Sequence, residues 1–492
     1  MKKRTDNVKL IFALKLKQLR LDKKLSQGEL STKAGVSVSY LNEIEKGKKY
    51  PKADKIFSLA DALNVSYDHL VSLKLSKKLS PLSELLQSDI LNDLPLDFFD
   101  IDSARVIELL SNAPTKLSAF INTFIEMARN YDMSVENFYF SVLRSYQELH
   151  DNHFEELEAQ SRAFADKFRV NTGMPLLKQL EQVLTDEYGY AIEMTDFQKD
   201  PELNNTRYIL IPEKLKLIVN DALSEHQKIF VLAKEVGFCF MALKNRPITN
   251  PILELNSFDE VLNNFKASYF ASALIIEEQK FIEDMKAFFT RDTFDGSALE
   301  KVMKTYQATP ETFVQRMISI IPKHLGLREL FFLKFKRAVK SDRFEMTKEL
   351  HLSKLHYPHA TVLNEHYCRR WVSLNVLNEL RDAKPSTEVL CSAQISKNID
   401  LDQECLMISF GSRDTLNDTV EISTSIGLII NDKLKGLVRF LDDPKLSKKD
   451  VNTTCERCAN QYCGERMAEP TLHLKEKLEK QRKMKIQELY LS

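Results

Sequence analysis

The sequence predicts a mainly α-helical chain with a small β component. Three observations carry that prediction. Only 12 glycines occur in 492 residues, and strong helix formers dominate. Apolar residues recur at helical spacing, as in Phe120, Ile121, Phe124, Ile125 and Ala128, and again in Phe138, Phe140, Val142, Leu143 and Tyr146. Strand-like runs are short and fall at 190–193, 208–211 and 216–219. The length allows three or more domains. The expected order is a small helical head over 7–73, a linker over 74–97 and a helical segment over 98–170 suited to dimerisation. An α+β core over 171–345 and a Cys-rich C-terminal domain over 346–492 complete it.

The head is the most informative part. Residues 25–51, LSQGELSTKAGVSVSYLNEIEKGKKYP, read as a helix-turn-helix. Ser26 and Glu29 have capping-box spacing at the start of the first helix. Gly35 supplies the turn, Ser37 caps a second helix running to about Lys46, and Gly47 followed by Pro51 ends it. Leu30, Ala34, Val36, Leu41 and Ile44 fall where the two helices must pack. Ser39, Tyr40, Asn42, Glu43 and Lys46 are left on the outer face, where such side chains reach base edges and phosphates. Gln27 and Lys46 are expected to anchor phosphates. With helical runs at 7–24, 52–63 and 66–73, this stretch resembles the lambda-repressor-like (XRE) domain, which implies binding to double-stranded DNA. Helices merely paired for packing are the alternative, and the agreement of caps, turn and spacing disfavours it.

Charge separates the head from the rest. Residues 1–78 hold 18 Lys and Arg against 8 Asp and Glu; the chain carries 70 of each, leaving 52 against 62 for residues 79–492. A basic head suits counterion release on DNA, and an acidic body argues against a second nucleic-acid surface. No run approaches 18 apolar residues, and the N-terminus lacks the apolar region of a signal peptide. Seven cysteines, odd in number and unevenly spread, point to a reducing cytoplasm.

Around 226–243, HQKIFVLAKEVGFCFMAL, the chain resembles the metallopeptidase-like ImmA/IrrE family. That family carries His-Glu-x-x-His on such a helix, two histidines holding zinc and the Glu acting as base. Here the pentad is Lys234, Glu235, Val236, Gly237 and Phe238. The third ligand position falls near Asn264 or Lys266, before Phe270, Ala271, Ser272, Ala273, Leu274 and Ile275. No expected ligand position holds a ligating residue, so the resemblance implies a zincin-like relic core without catalysis. Glu235 is expected to pair with Lys234 or Lys266. Phe230, Leu232, Val236, Phe238, Phe240, Tyr269, Phe270 and Leu274 either line a ligand pocket or form ordinary core, the latter being favoured for each alone. His150 and His153, beside Glu148, Glu155, Glu156 and Glu158, suggest a metal cluster, but a solvated acidic helix face is the favoured reading.

Near the end, CERCANQYCGERMAEP places Cys455, Cys458 and Cys463 at C-x2-C-x4-C. Cys368, within EHYCRRW, is the best fourth ligand, with Cys391 and Cys405 as alternatives; Cys239 is expected to be buried and inert. Basic neighbours (Arg369, Arg370, Arg457, Arg466) are expected to lower the thiol pKa values and offset the site's charge. One C-x2-C pair, a near third and a distant fourth Cys favour an iron–sulfur cluster over zinc or unligated thiols.

Taken together, the XRE head, RSYQELHDNHFEELE at 144–158, the degenerate ImmA/IrrE-like core, C-R-R-W and the Cys-rich tail resemble the short-chain fatty-acyl-CoA-responsive regulators (ScfR), the group that includes RamB- and PrpR-like proteins. The resemblance implies a cytoplasmic, non-enzymatic regulator of acetate, propionate or glyoxylate-type metabolism. It would act as a homodimer or higher oligomer, carry an iron–sulfur cluster and take an acyl-CoA effector. Lys323, Arg328, Lys334, Lys336 and Arg337 are candidates for the CoA phosphates. The competing readings are a metallopeptidase-type stress regulator acting on a repressor, and an antitoxin-like DNA-binding interaction protein.

Overall fold

A computed structural model describes residues 2–72, 135–170, 174–352, 365–384, 387–401 and 403–491. The linker 74–97 and the first half of the helical segment, with Phe120–Ala128, lie outside the described residues. The chain divides into two compact units, 1–140 and 141–492.

The first unit is five short helices: α1 (Lys2–Asp22), α2 (Gln27–Ala34), α3 (Val38–Glu45), α4 (Ala53–Ala62) and α5 (Tyr67–Val71). Their core joins Phe12, Leu16, Leu30, Leu41, Ile44, Ile56, Leu59 and Leu70. Three charged residues are also buried here. Arg20 on α1 donates from Nε and Nη2 to buried Glu45 on α3, at 2.6 and 2.9 Å. Lys15 Nζ donates to the carbonyls of His69 and Ser72, tying α1 to α5.

The second unit holds two sheets. In the smaller, β1 (Ala191–Thr195) runs parallel to β3 (Lys216–Asn220), and β2 (Tyr208–Ile211) lies antiparallel between β3 and the short β4 (Thr249–Asn250). The helices that accompany it are α6 (Val135–Leu149, which begins in the first unit), α7 (Glu155–Phe168), α8 (Leu176–Gln182), α9 (Glu225–Phe240), α10 (Phe258–Ile275), α11 (Glu278–Phe289), α12 (Gly296–Thr305) and α13 (Pro310–Ile320), the last two packing on the strands that follow. On α6 it is Tyr139, and not Phe140, that is buried.

The larger sheet changes the fold class. Six strands, β5 (Leu330–Ala338), β6 (Glu345–His351), β7 (Val389–Asn398), β8 (Gln403–Arg413), β9 (Val420–Ile429) and β10 (Ser447–Val451), pair in the order β10-β7-β8-β9-β5-β6. The chain is therefore mixed α and β, and the β component is not small. The physical reason is burial on both faces. Leu330, Phe332, Leu406, Ile408 and Phe410 join the main core on one face. Phe331, Leu333, Phe335, Cys405 and Met407 pack on the other with Trp371 and α14 (Val372–Asp382). Strands covered on both faces lose the apolar–polar alternation that marks a half-exposed strand. The main core runs from Phe164 to Leu446 without a break at residue 345. After α15 (Asp432–Leu437) and β10 comes the Cys-rich loop, and α16 (Thr471–Leu491) ends the described chain. Among the described residues no helix is long and apolar enough to cross a membrane.

Candidate nucleic-acid interface and cysteine centre

The α2–α3 pair is built as its sequence requires. Ser26 Oγ accepts from the Glu29 N–H while the Glu29 carboxylate accepts from the Ser26 N–H. Gly35 ends α2 at φ 62°, a left-handed position that favours glycine. Ser37 Oγ caps α3 by accepting from the Tyr40 N–H. Leu30, Ala34, Leu41 and Ile44 are buried, Val36 packs beside them, and Ser39 is exposed with Tyr40, Asn42, Glu43 and Lys46 half-exposed. Two expected contacts have other partners here. Gln27 Nε2 donates to Glu45, at 2.7 Å, so its amide braces α2 against α3. Glu43 pairs with Lys49 at 2.8 Å. Lys52 and Lys55, which the sequence reading passed over, line a surface groove with Gly35, Ser37 and Tyr40 beside the start of α3. Their signal was available: basic residues at the start of a helix that packs on the motif.

The pentad on α9 sits against α10. Gly237 permits this approach, since a Cβ there would lie 2.9 Å from the Phe270 ring. Lys234 Nζ donates to Asn264 Oδ1, at 2.6 Å, and lies 3.4 Å from the Tyr208 hydroxyl. Burial pushes the Lys234 ammonium down to about 7. Phe238 packs its ring under the Arg246 guanidinium. Glu235 contacts Arg246 at 2.8 Å, its charge also acts on Lys234, and Arg246 in turn donates to the Tyr190 hydroxyl. The neighbouring apolar residues Leu232, Val236, Phe238, Tyr269, Phe270 and Leu274 are buried, with Phe230 and Phe240 packed against the core.

Most candidates for CoA phosphates are already paired. Lys334 meets Glu311 at 2.6 Å, Lys336 meets Glu345, and Arg328 meets Asp151. Arg337 is buried against Glu421. The 148–158 cluster divides: His150, Glu155 and Glu156 are exposed, as a solvated face requires, while His153 and Glu158 are not. His153 is buried against Glu278, and Glu158 is buried against Arg316 and the Tyr269 hydroxyl.

The cysteines converge. Cys368, Cys455, Cys458 and Cys463 line one small cavity with Arg369, Glu465 and Arg466. Cys391 and Cys405 stand on β7 and β8, buried in the sheet. Cys239 is half-buried and reaches the Tyr190 hydroxyl, 3.6 Å away. The two segments of the centre are stitched by local bonds. The Cys455 N–H donates to the His366 carbonyl, the Cys368 N–H to Thr453, and the Trp371 indole to Asn452. Arg466 clamps the loop by donating to the carbonyls of Cys455, Cys458, Asn460 and Ala468. Arg457 instead pairs with Glu365. Thiol acidity also differs from expectation: burial pushes the Cys368 thiol up to about 11 and raises Cys458 as well. Desolvation outweighs the basic neighbours.

Residues 16–70 match the model of a helix-turn-helix family, and residues 191–317 match that of the IrrE N-terminal-like domain. This chain is a helix-turn-helix protein with an IrrE-like domain. The HTH-type transcriptional regulator RamB of Mycobacterium tuberculosis is 22% identical to it over 355 residues, covering 69% of this chain and 71% of that protein. An uncharacterized HTH-type transcriptional regulator, y4dJ of Sinorhizobium fredii, is 38% identical over 55 residues, 11% of this chain and 71% of the relative. A solved Mycobacterium tuberculosis transcriptional regulator superposes with a TM-score of 0.45 at 16% identity, over 67% of this chain and 93% of that one.

Proposed function

We propose that this protein is a DNA-binding transcriptional regulator whose body senses a short-chain acyl-CoA and carries an iron–sulfur cluster. The observation that carries the DNA-binding part is α3 itself. Its N-terminus is capped, its inner face is buried, and Ser39, Tyr40 and Asn42 are left on the solvent side. Such a helix reads base edges in the major groove, and lysines around it hold phosphates. Paired half-sites would call for a homodimer or higher oligomer.

A cluster on Cys368, Cys455, Cys458 and Cys463 is supported by two features. The four thiols share one cavity. The Met467 N–H donates to Cys455 Sγ and the buried Arg466 Nε has no acceptor, so donors are poised for sulfur ligands. Bound there, a cluster would supply redox or oxygen sensitivity, and Arg466 would hold the loop and offset its charge. The acyl-CoA effector and the link to acetate, propionate or glyoxylate-type metabolism rest on the family resemblance.

A peptidase reading is disfavoured because Lys234 and Asn264 bond to each other where ligands would be needed. An antitoxin-like role would not require the shared thiol cavity. Anaerobically purified protein should absorb near 400 nm in proportion to its iron, an order-of-magnitude position for cluster charge transfer. It should also release an acyl-CoA detectable by mass spectrometry and select a discrete operator from random duplex DNA. Colourless, iron-free protein would remove the cluster, absence of any co-purified thioester the effector, and failure to select DNA the reading as a whole.

A further inference from the structure

Three segments distant in sequence meet at one carboxylate. His153 Nε2 lies 3.0 Å and His324 Nε2 2.8 Å from the same Glu278 oxygen, Oε1. The two rings are 5.4 Å apart and nearly perpendicular. The three ligand-type atoms lie within 4.8 Å of one another. We propose that His153, Glu278 and His324 form a divalent metal site, suited first to zinc, with a coordination position open to solvent.

The backbone at both histidines is unusual. His153 follows Asp151 and Asn152, two consecutive non-glycine residues at φ 49° and 51°. Left-handed residues of this kind persist where surrounding contacts hold them, often at functional sites. Here Asn152 is buried, accepts from Gln147 and donates to Ser319, which fixes the turn that aims His153. His324 sits in a single π-helical turn, Ile321–Leu325, at the end of α13, and such turns are frequent at functional sites. Glu278 opens α11 just after its N-cap, Glu277.

The donor set matches the chemistry. Two imidazole nitrogens and one carboxylate oxygen are a common three-ligand set for zinc, leaving a fourth position for water. Zinc with ligands at about 2.0–2.1 Å spaces them roughly 3.3 Å apart, so the observed contacts need to open only slightly. Arg162 donates to the other Glu278 oxygen, Oε2, at 3.1 Å and to Glu155 at 2.7 Å. That bond leaves Oε1 for the metal, the outer-shell arrangement that orients a ligating carboxylate. His153 is buried while His324 is 29% exposed, so the open position faces water. This site shares no residue with the cysteine centre or with the α9 pentad.

The test uses the full-length protein stripped of divalent ions and titrated with zinc sulfate, with bound zinc counted by mass spectrometry. Cobalt loading distinguishes the sites, because only cysteine ligation gives thiolate-to-cobalt absorption. His324→Ala should lose one zinc equivalent and keep the thiolate absorption, and Glu278→Gln should weaken that equivalent more than tenfold. Cys458→Ala should retain it. Zinc should raise the melting temperature of the wild type more than that of His324→Ala, and Cys458→Ala should keep the difference. Equal zinc content and equal melting shifts in the wild type and His324→Ala would reduce the three residues to a hydrogen-bonded triad and overturn the proposal.

Discussion

At the residue scale, Asn42 and Lys234 bear the sharpest expectations. Asn42→Ala should weaken operator binding by about 1–3 kcal/mol and leave binding to random duplex nearly unchanged, because an amide on a base edge discriminates where a phosphate contact does not. Fluorescence anisotropy on the two DNAs checks this, and equal losses would remove Asn42 from base reading. Lys234 is buried with a folded pKa of about 7, against 10.5 for an ordinary lysine. Between those values the unfolded chain binds more protons than the folded one, so stability rises with pH across about 7 to 10.5 and is least below 7. Urea unfolding at several pH values should show a smaller rise for Lys234→Met than for the wild type. Parallel curves would place the charge of Lys234 elsewhere. Sequence reading found that Lys234 cannot ligate metal. It missed the partners: Asn264 is 30 residues away, and Arg246 takes Glu235.

At the element scale, the helix-turn-helix was legible because its determinants are local. Ser26, Glu29, Gly35 and Ser37 act within a few residues of themselves. The Arg20–Glu45 pair was not legible, since nothing in either neighbourhood announces a partner 25 residues off. It fixes α1 to α3, so Glu45→Ala should destabilise the head by about 3–5 kcal/mol, leaving a buried guanidinium unpaired. Thermal unfolding followed by circular dichroism measures that, and an unchanged transition would show the pair to be dispensable. The six-stranded sheet escaped for a different reason. Cys405 to Gly411 is buried at every position, so β8 shows no alternation to read. Three of the four strands of the smaller sheet were found at nearly their observed limits, and the two-residue β4 was not. Cysteine spacing located the centre and Cys368 was ranked ahead of Cys391 and Cys405. The role of Arg466 as the loop's clamp depends on carbonyl directions that spacing does not encode.

At the scale of the whole molecule, the basic head and acidic body divide the work. Binding to DNA should fall steeply with salt, and a log–log plot against salt concentration should have a slope of several units. A flat plot would show that phosphates are not engaged. Cys458→Ala should lose iron and absorbance together, melt earlier and change operator affinity; intact iron content would make the thiols bystanders. The strand that leads into the centre carries a separate consequence. β10 is the outermost strand, and it pairs in parallel with β7, whereas every other pairing in that sheet is antiparallel. Its last residue, Val451, lies four positions before Cys455, and the segment between them is buried. Whatever anchors the thiols therefore also anchors the cover over β7. Should that anchor fail, β10 is free to peel away and bare the main-chain donors and acceptors of β7. An uncovered strand edge is a template for another chain. Damage at the centre would then appear first as self-association, and light scattering should rise before the helical signal is lost.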